Sequence, residues 1–437
     1  MKVRAAPAAG PLLRDDAMLT AISGLMDQVR SRFAHVDACP FEGPRVFFEN
    51  AGGALTLKSV AETSGRYAAY PDNQGRDNPA SKALMAAIAT GKDDMRLFLN
   101  AAAGQVFVGE SGTEVLFRLI RTAALGAAPD GLMLSTTLEH PASRSAMSRW
   151  AEVTGRRHVL VPHDNATGNV SVEAYRQHLT PELRVASIIH TSPVTGMAVD
   201  VGAIAAAIRE ASPHCFIIVD GIQHASHGAV DIAALGIDGY AISPYKVFSR
   251  HGYGVGWASD RLTACTKETV IGGPATSWEM GTRDAGSYAT FSDVVDYLVW
   301  LGAQFTPEAD RRTQLEAAAQ AIHQHEQMLA EKMMAGSGNL RGLKDVPGVQ
   351  VIGGAGNSSR EGVVSFALAG QQSEAVVAHL NRRGVRTHTR KADHYSGNVL
   401  DPLGLADCVR VSFSHYNTEQ DVAQFLTALN EFVEQTT

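Results

Sequence analysis

The 437-residue chain predicts an α/β fold, with a mostly parallel sheet in a large domain and a smaller α+β domain at the C-terminal end. Three observations carry this. From Gln105 to Asp220 short apolar runs alternate with helical patterns, the order that a parallel sheet covered on both faces requires. The run Cys215-Phe216-Ile217-Ile218-Val219 is apolar at every position and ends in an acid, Asp220, as a strand buried on both faces would. Past a loop-like Gly336-Ser337-Gly338 the remaining strands and helices form a separate small unit.

Taken in order, a helical pattern starts at Asp15 and puts Leu19, Ile22, Met26, Val29 and Phe33 on one face, a packing arm. Pro40 to Pro44 breaks it. Val46-Phe47-Phe48 leads into Asn50-Ala51-Gly52-Gly53, a turn whose glycines let backbone approach a ligand closely. Helices are expected over Leu55 to Ala69 and Pro79 to Ala101, separated by a polar loop containing Arg76. The strand Gln105-Val106-Phe107-Val108 then runs through Ser111-Gly112-Thr113 into a helix. A strand, a small-residue turn and a helix start make an anion site, because free backbone N–H groups and the helix dipole both favour phosphate.

Next come strand Leu132 to Thr136, Glu139-His140 at the head of helix Pro141 to Val153, strand His158 to Val161, helix Val172 to Leu179, strand Val185 to His190 and helix Val201 to Ala211. After Asp220 follow the short strand Gly239 to Ile242, Ser243-Pro244-Tyr245-Lys246, and a glycine-punctuated turn, His251 to Gly256. A long helix, Arg312 to Met334, buries Leu315, Ile322, Leu329 and Met333 and leaves His323 and His325 on the surface. Beyond it lie strands Val349 to Ile352, Val363 to Phe366, Val385 to His388 and Cys408 to Phe413, with helices Ser373 to Arg382 and Glu419 to Val433. The expected units are an N-terminal arm, 1–45, packing with the small domain, a large domain, 46–305, and the small domain, 306–437.

Composition narrows the function. A net charge of -7 with no block of like charge gives no reason to expect nucleic acid or an anionic membrane as partner. Four cysteines, Cys39, Cys215, Cys265 and Cys408, lie far apart, which fits a reducing, cytoplasmic compartment. Met1 to Arg14 lacks the apolar core of a signal peptide, and no stretch is long enough to span a bilayer. The dinucleotide and P-loop motifs are absent. His224 and His227 have no third ligand nearby, so no metal is expected.

The chemistry centres on Lys246 and Asp220. A lysine between an apolar strand and a tight turn is partly desolvated, which lowers its ammonium pKa and frees the amine for a Schiff base. Asp220, at the carboxyl end of its strand, stands where ligands of such sheets bind. Pyridoxal phosphate needs both: a lysine for the imine and an acid beside its ring nitrogen. On these two residues alone, a surface lysine and a capping aspartate stay open.

Seven words in order extend this reading: Asn50-Ala51-Gly52-Gly53, Ser111-Gly112-Thr113-Glu114, Glu139-His140, Asp220-Gly221-Ile222-Gln223, Ser243-Pro244-Tyr245-Lys246, Glu279-Met280-Gly281-Thr282 and Arg410-Val411-Ser412. Through them the chain resembles the class V aminotransferases of the fold-type I pyridoxal-phosphate enzymes, within them the cysteine desulfurase-like proteins. The resemblance implies a seven-stranded type of sheet and pyridoxal 5'-phosphate bound through Lys246. Gly112, Thr113 and Ser243 would hold its phosphate, with Tyr245 standing where many relatives carry histidine. His140 would stack on the ring, Asp220 would pair its nitrogen, and Gln223 would bond its hydroxyl. Thr282 would reach a neighbouring subunit's cofactor, making a homodimer with shared sites. Asn50 would lie beside an amino-acid substrate and Arg410 would grip its α-carboxylate.

The segment Val385-Arg386-Thr387-His388-Thr389-Arg390 resembles the stretch before the persulfide-forming cysteine of desulfurases, yet no cysteine occurs between Val385 and Asp407. His388, Arg390 and His394 would shape a different substrate pocket. The family's asparagine after Thr191-Ser192 is replaced by Pro193. The implied activity is that of a lyase acting through a Lys246 Schiff base and a Cα carbanion, of C–S or related β-elimination type without the persulfide cysteine. Transamination and epimerisation are the alternatives within the family. A non-enzymatic cofactor-binding regulator is the alternative of another class, and no basic helix-turn-helix-like segment precedes the core to support it.

Overall fold

A computed structural model describes residues 18–436. Its central sheet has seven strands: β1 Gln105–Gly109, β2 Leu132–Thr136, β3 Arg157–Val161, β4 Leu183–Ile189, β5 Phe216–Asp220, β6 Gly239–Ile242 and β7 Gly254–Ala258. They lie in the order β1-β7-β6-β5-β4-β2-β3. The five from β6 to β3 pair in parallel, and β7 runs antiparallel to both β1 and β6. The residues read as a glycine-punctuated turn are therefore half strand. Glycine is needed there for close approach: a Cβ on Gly254 would fall 2.3 Å from the Ser111 carbonyl carbon.

Period-two geometry explains the all-apolar central strand. In β5, Ile217 and Val219 join one core cluster, while Phe216 and Ile218 join the cluster on the opposite face. The second sheet has four strands, β8 Val349–Val351, β9 Val363–Leu368, β10 His388–Lys391 and β11 Asp407–Ser412, in the order β8-β9-β11-β10, all antiparallel. One face of it, including Val364, Phe366, Val409 and Val411, builds its own core with Val422, Phe425 and Leu429 of helix Glu419–Thr436. The long helix Arg311–Ala335 serves both cores, Leu315 and Ile322 packing in the first and Leu329 and Met333 in the second.

Three expectations need correction. The N-terminal helical pattern is split by Gly24 at φ 74, leaving a 3-10 turn at Leu19–Ala21 and a helix at Leu25–Ser31; the expected start at Asp15 lies outside the described residues. The helix expected from Leu55 begins at Lys58, since Leu55 and Leu57 enter the core ahead of it and Leu57, the cap residue, is extended. His325 is fully buried, its Nε2 2.9 Å from the Asn417 carbonyl, because the second core wraps the helix face that periodicity assigned to solvent. No helix among the described residues is long and apolar enough to cross a membrane.

Candidate active site

The carboxyl ends of β2, β4, β5 and β6 and the helix start after β1 converge on one cavity, which Thr113, His140, Asp220, Gln223, Ser243, Tyr245 and Lys246 all line. Seven of the residues singled out from the sequence thus meet in one place. Gly112 belongs with them. It opens helix Gly112–Gly126, and a Cβ there would fall 2.3 Å from Ser243 Oγ, so only glycine lets the helix start sit against that hydroxyl. Ser111 caps the helix by accepting from the Glu114 N–H, which leaves the first-turn N–H groups of Gly112 and Thr113 without intrahelical partners.

Lys246 ends a single 3-10 turn, Pro244–Lys246, directly after β6. Burial, then the nearby Arg410 guanidinium, pull its ammonium down to about 8, while Asp220 partly opposes this. Asp220 is buried at the end of β5. Desolvation lifts its carboxyl to about 6 against the Ile222 N–H, Lys246 and Ser143, which favour the charged form. His140, the cap of helix Pro141–Val153, accepts from the Ala142 N–H through Nδ1. Burial and then the charge of Lys246 hold it neutral, down to about 3, so the ring's proton sits on Nε2. Beside it the Glu139 carboxyl is pushed up to about 8 by burial and stays neutral, leaving Asp220 to carry negative charge at these strand ends.

Gln223 lines the cavity and is fixed from behind. Its Nε2 lies 3.1 Å from His227 Nε2, and His227 Nδ1 lies 2.7 Å from Glu326 on the long helix. The Gln223 Oε1 atom is buried and has no protein partner. A parallel pair, His224 with Glu361, joins the pocket wall through Thr191 Oγ1, 2.6 Å from Glu361. Sequence reasoning missed Ser143, Glu326 and Glu361. Glu326 and Glu361 come from segments 99 and 137 residues away from their histidines, so no local spacing could reveal them. Tyr245 stacks on His251 with centroids 4.2 Å apart, and its backbone carbonyl accepts from Ala54, which docks the turn after Asn50 onto the site.

The remaining candidates divide. Arg410, on β11, is buried, donates from Nη1 to the Pro193 carbonyl at 3.1 Å, and leaves Nε without a partner. Pro193 lines the cavity, so the guanidinium is one residue removed from it. Asn50 is consumed by structure: its amide donates to the Ser412 carbonyl at 2.8 Å and its carbonyl accepts from Tyr416. His388 sits 3.5 Å from Glu49. Arg390 donates from Nε to Ser396 at 2.9 Å. Thr282 is exposed on an irregular loop, away from the cavity of its own chain. His394 is exposed as well.

The chain matches the aminotransferase class-V family over residues 46–425. It belongs to that family. Among similar proteins is the cysteine desulfurase-like protein ustD of Aspergillus flavus, 27% identical over 93% of this chain and 90% of that one. Another is the nonribosomal peptide synthetase-like enzyme fsqF of Aspergillus fumigatus, 26% identical over 89% of this chain, which spans only 26% of that protein's length. Among solved structures, the Escherichia coli cysteine desulfurase CsdA superposes with a TM-score of 0.75 at 23% identity, covering 94% of this chain and 98% of that one, which shows the shared fold. As a class V member the protein is a pyridoxal-phosphate-dependent enzyme. The residues present fit the cofactor: a desolvated lysine, an acid lining the same cavity, an orphaned Gln223 oxygen and a helix-start cradle that a Cβ would fill.

Proposed function

We propose that the protein is a lyase acting on the Cβ substituent of an α-amino acid, of C–S or related type, without a persulfide-carrying cysteine. The observation that carries it is that Lys246 and Asp220 line one cavity while Arg410, with no carboxylate partner among the described residues, bonds to Pro193 of its wall. Gly112, Thr113 and Ser243 would hold the cofactor phosphate, His140 and Gln223 would flank the ring, and Asp220 would face its nitrogen. When bound, pyridoxal phosphate supplies the electron sink for charge that develops at Cα. Arg410 orients the substrate through its α-carboxylate, for which a two-pronged donor is suited. Lys246, with its ammonium brought near neutral pH, takes the proton from Cα.

Cys408 lies on β11, where burial pushes its thiol up to about 12. Such a thiol is a small packed hydrophobe rather than a sulfur carrier. Incubating the wild type and Cys408→Ala with a panel of amino acids should release the β-substituent in step with amino-acid loss, without a keto-acid acceptor, and the two proteins should agree within a few-fold. Strict dependence on an added keto acid, or conversion of one enantiomer to a mixture of both with the β-substituent retained, would put transamination or epimerisation in its place. Sulfur found on Cys408 by mass spectrometry would restore the persulfide route.

The same reading includes a homodimer. Trp278 stacks on Phe107 at 5.0 Å and Glu279 accepts from the Val108 N–H and Tyr288, so the base of the loop is anchored in its own chain. Met280 and Thr282 beyond it are exposed, as are Val270 and Ile271. We assign Thr282 to the neighbouring subunit's phosphate site. Co-refolding inactive Lys246→Ala and Thr282→Ala chains should then regenerate some activity, since one site of each mixed dimer is intact; a fully active monomer by light scattering would end this assignment.

A further inference from the structure

The second sheet brings two arginines close to the cavity wall: Arg410 donates to Pro193, and Arg390 lies 5.5 Å from the ring centre of Tyr395, which is itself 6.1 Å from the His140 ring. In the antiparallel pairing of β10 with β11, His388 lies opposite Arg410 and Arg390 opposite Cys408. Directly opposed residues share a face, as do residues two apart, so Arg390 and Arg410 rise from one face as diagonal neighbours, spaced roughly 7–8 Å at their origins. The alternate residues Val409 and Val411 point into the core on the other side. Both guanidiniums act on the cavity: each depresses the ammonium of Lys246 and the imidazole of His140, after burial itself.

Two neighbouring cations on these strands are already matched: Arg386 lies 2.6 Å from Glu49 and Lys391 2.6 Å from Glu374. Among the described residues no carboxylate lies within 4.0 Å of either Arg390 or Arg410. Asp393, the acid that Arg390 senses first, accepts instead from the backbone N–H groups of Tyr395 and Ser396, at 2.8 and 3.3 Å. Arg390 offers one side-chain bond, from Nε to Ser396, and Arg410 one, to Pro193, with its Nε left over. Two like charges held together in a largely desolvated site are costly unless anions meet them. The helix-start cradle at Gly112 and Ser243 provides separately for the cofactor's phosphate. One guanidinium matches the α-carboxylate that every α-amino acid carries, which leaves the other without a role in binding a neutral side chain.

We propose that Arg390 sets specificity by binding a compact oxyanion, a carboxylate or a sulfinate, on the substrate's side chain, so that the substrate is an amino acid with two acidic groups. This rests on the cofactor-dependent reading above and adds the substrate class to it. A guanidinium meets such groups with paired, charge-assisted hydrogen bonds.

The test is a titration of the cofactor's absorption in the holoenzyme with L-aspartate, L-cysteine sulfinate, L-asparagine, L-cysteine and L-alanine, in the wild type, Arg390→Lys and Arg390→Gln. The acidic ligands should bind the wild type on the order of 10–100-fold more tightly than asparagine or alanine, as charge-assisted hydrogen bonds imply. Arg390→Gln should collapse that ratio to within a few-fold, and Arg390→Lys should restore part of it. Whichever acid perturbs the spectrum at the lower concentration separates carboxylate from sulfinate. The proposal is overturned if asparagine or alanine matches the acids in the wild type, or if Arg390→Gln weakens every ligand equally. A protein that binds pyridoxal phosphate but shows no acidic preference thus refutes the specificity alone, whereas one that forms no lysine-dependent absorption refutes the underlying reading.

Discussion

Lys246→Ala is expected to remove turnover, by a factor of at least roughly 10²–10⁴ from the loss of proton transfer alone, and to abolish the lysine-dependent visible absorption of the bound cofactor. The structure says why no neighbour replaces it. Lys246 is buried at the end of β6, and the other cations nearby are guanidiniums, which hold their protons too tightly to act as bases. His140 is the alternative base, but its Nδ1 is engaged with the Ala142 N–H and its Nε2 carries the ring proton. The variant should fold. Lys246 makes no ion pair within 4.0 Å of any described carboxylate, and its removal relieves a desolvated ammonium, so thermal unfolding should not occur at a lower temperature than in the wild type. Retention of more than about a tenth of the activity would contradict the assignment, since acid–base catalysis is worth far more than this.

Arg410→Ala should be nearly as damaging, and through a different kinetic route. Truncating one partner of a buried, hydrogen-bonded charge pair costs about 2–5 kcal/mol. That range corresponds to kcat/KM losses from roughly 30-fold to several thousand-fold at 1.4 kcal/mol per decade. The cofactor's absorption should stay intact, because Arg410 lies on the second sheet and donates to Pro193 rather than to the cradle residues. Arg410→Lys should rescue little, since an ammonium cannot present the planar fork to a carboxylate. Steady-state kinetics alongside absorption spectra would check this. A variant with normal kcat/KM would show that the α-carboxylate is held elsewhere.

Much of this site was legible in the chain because its parts are local. An apolar run ending in Asp220, a capped helix start at Ser111-Gly112-Thr113 and a lysine four residues past a short strand each carry their chemistry within a few positions. The parallel order of β2 to β6 followed from alternation for the same reason. The antiparallel insertion of β7 did not: its glycines signalled a turn, and only the long-range pairing with β1 shows that they admit Ser111 and Phe107 against the strand. His325 was misread because periodicity assigns a helix one buried face, whereas Arg311–Ala335 is buried on different faces along its length by two cores. The supports behind Gln223 were equally hidden. A histidine four residues on could be seen, but Glu326, which orders it, arrives from another element. Arg390 was visible as a residue. Its lack of an acid partner became visible only when the register fixed its neighbours.

The most direct measurement of the central claim is to reduce the wild-type holoenzyme with borohydride, digest it, and locate the added cofactor by peptide mass spectrometry. The structure predicts one modified lysine, Lys246, between Ser243 and the strand that begins at Gly254. Attachment at any other lysine, or an unmodified Lys246 in a protein that still shows the cofactor's visible absorption, would contradict it.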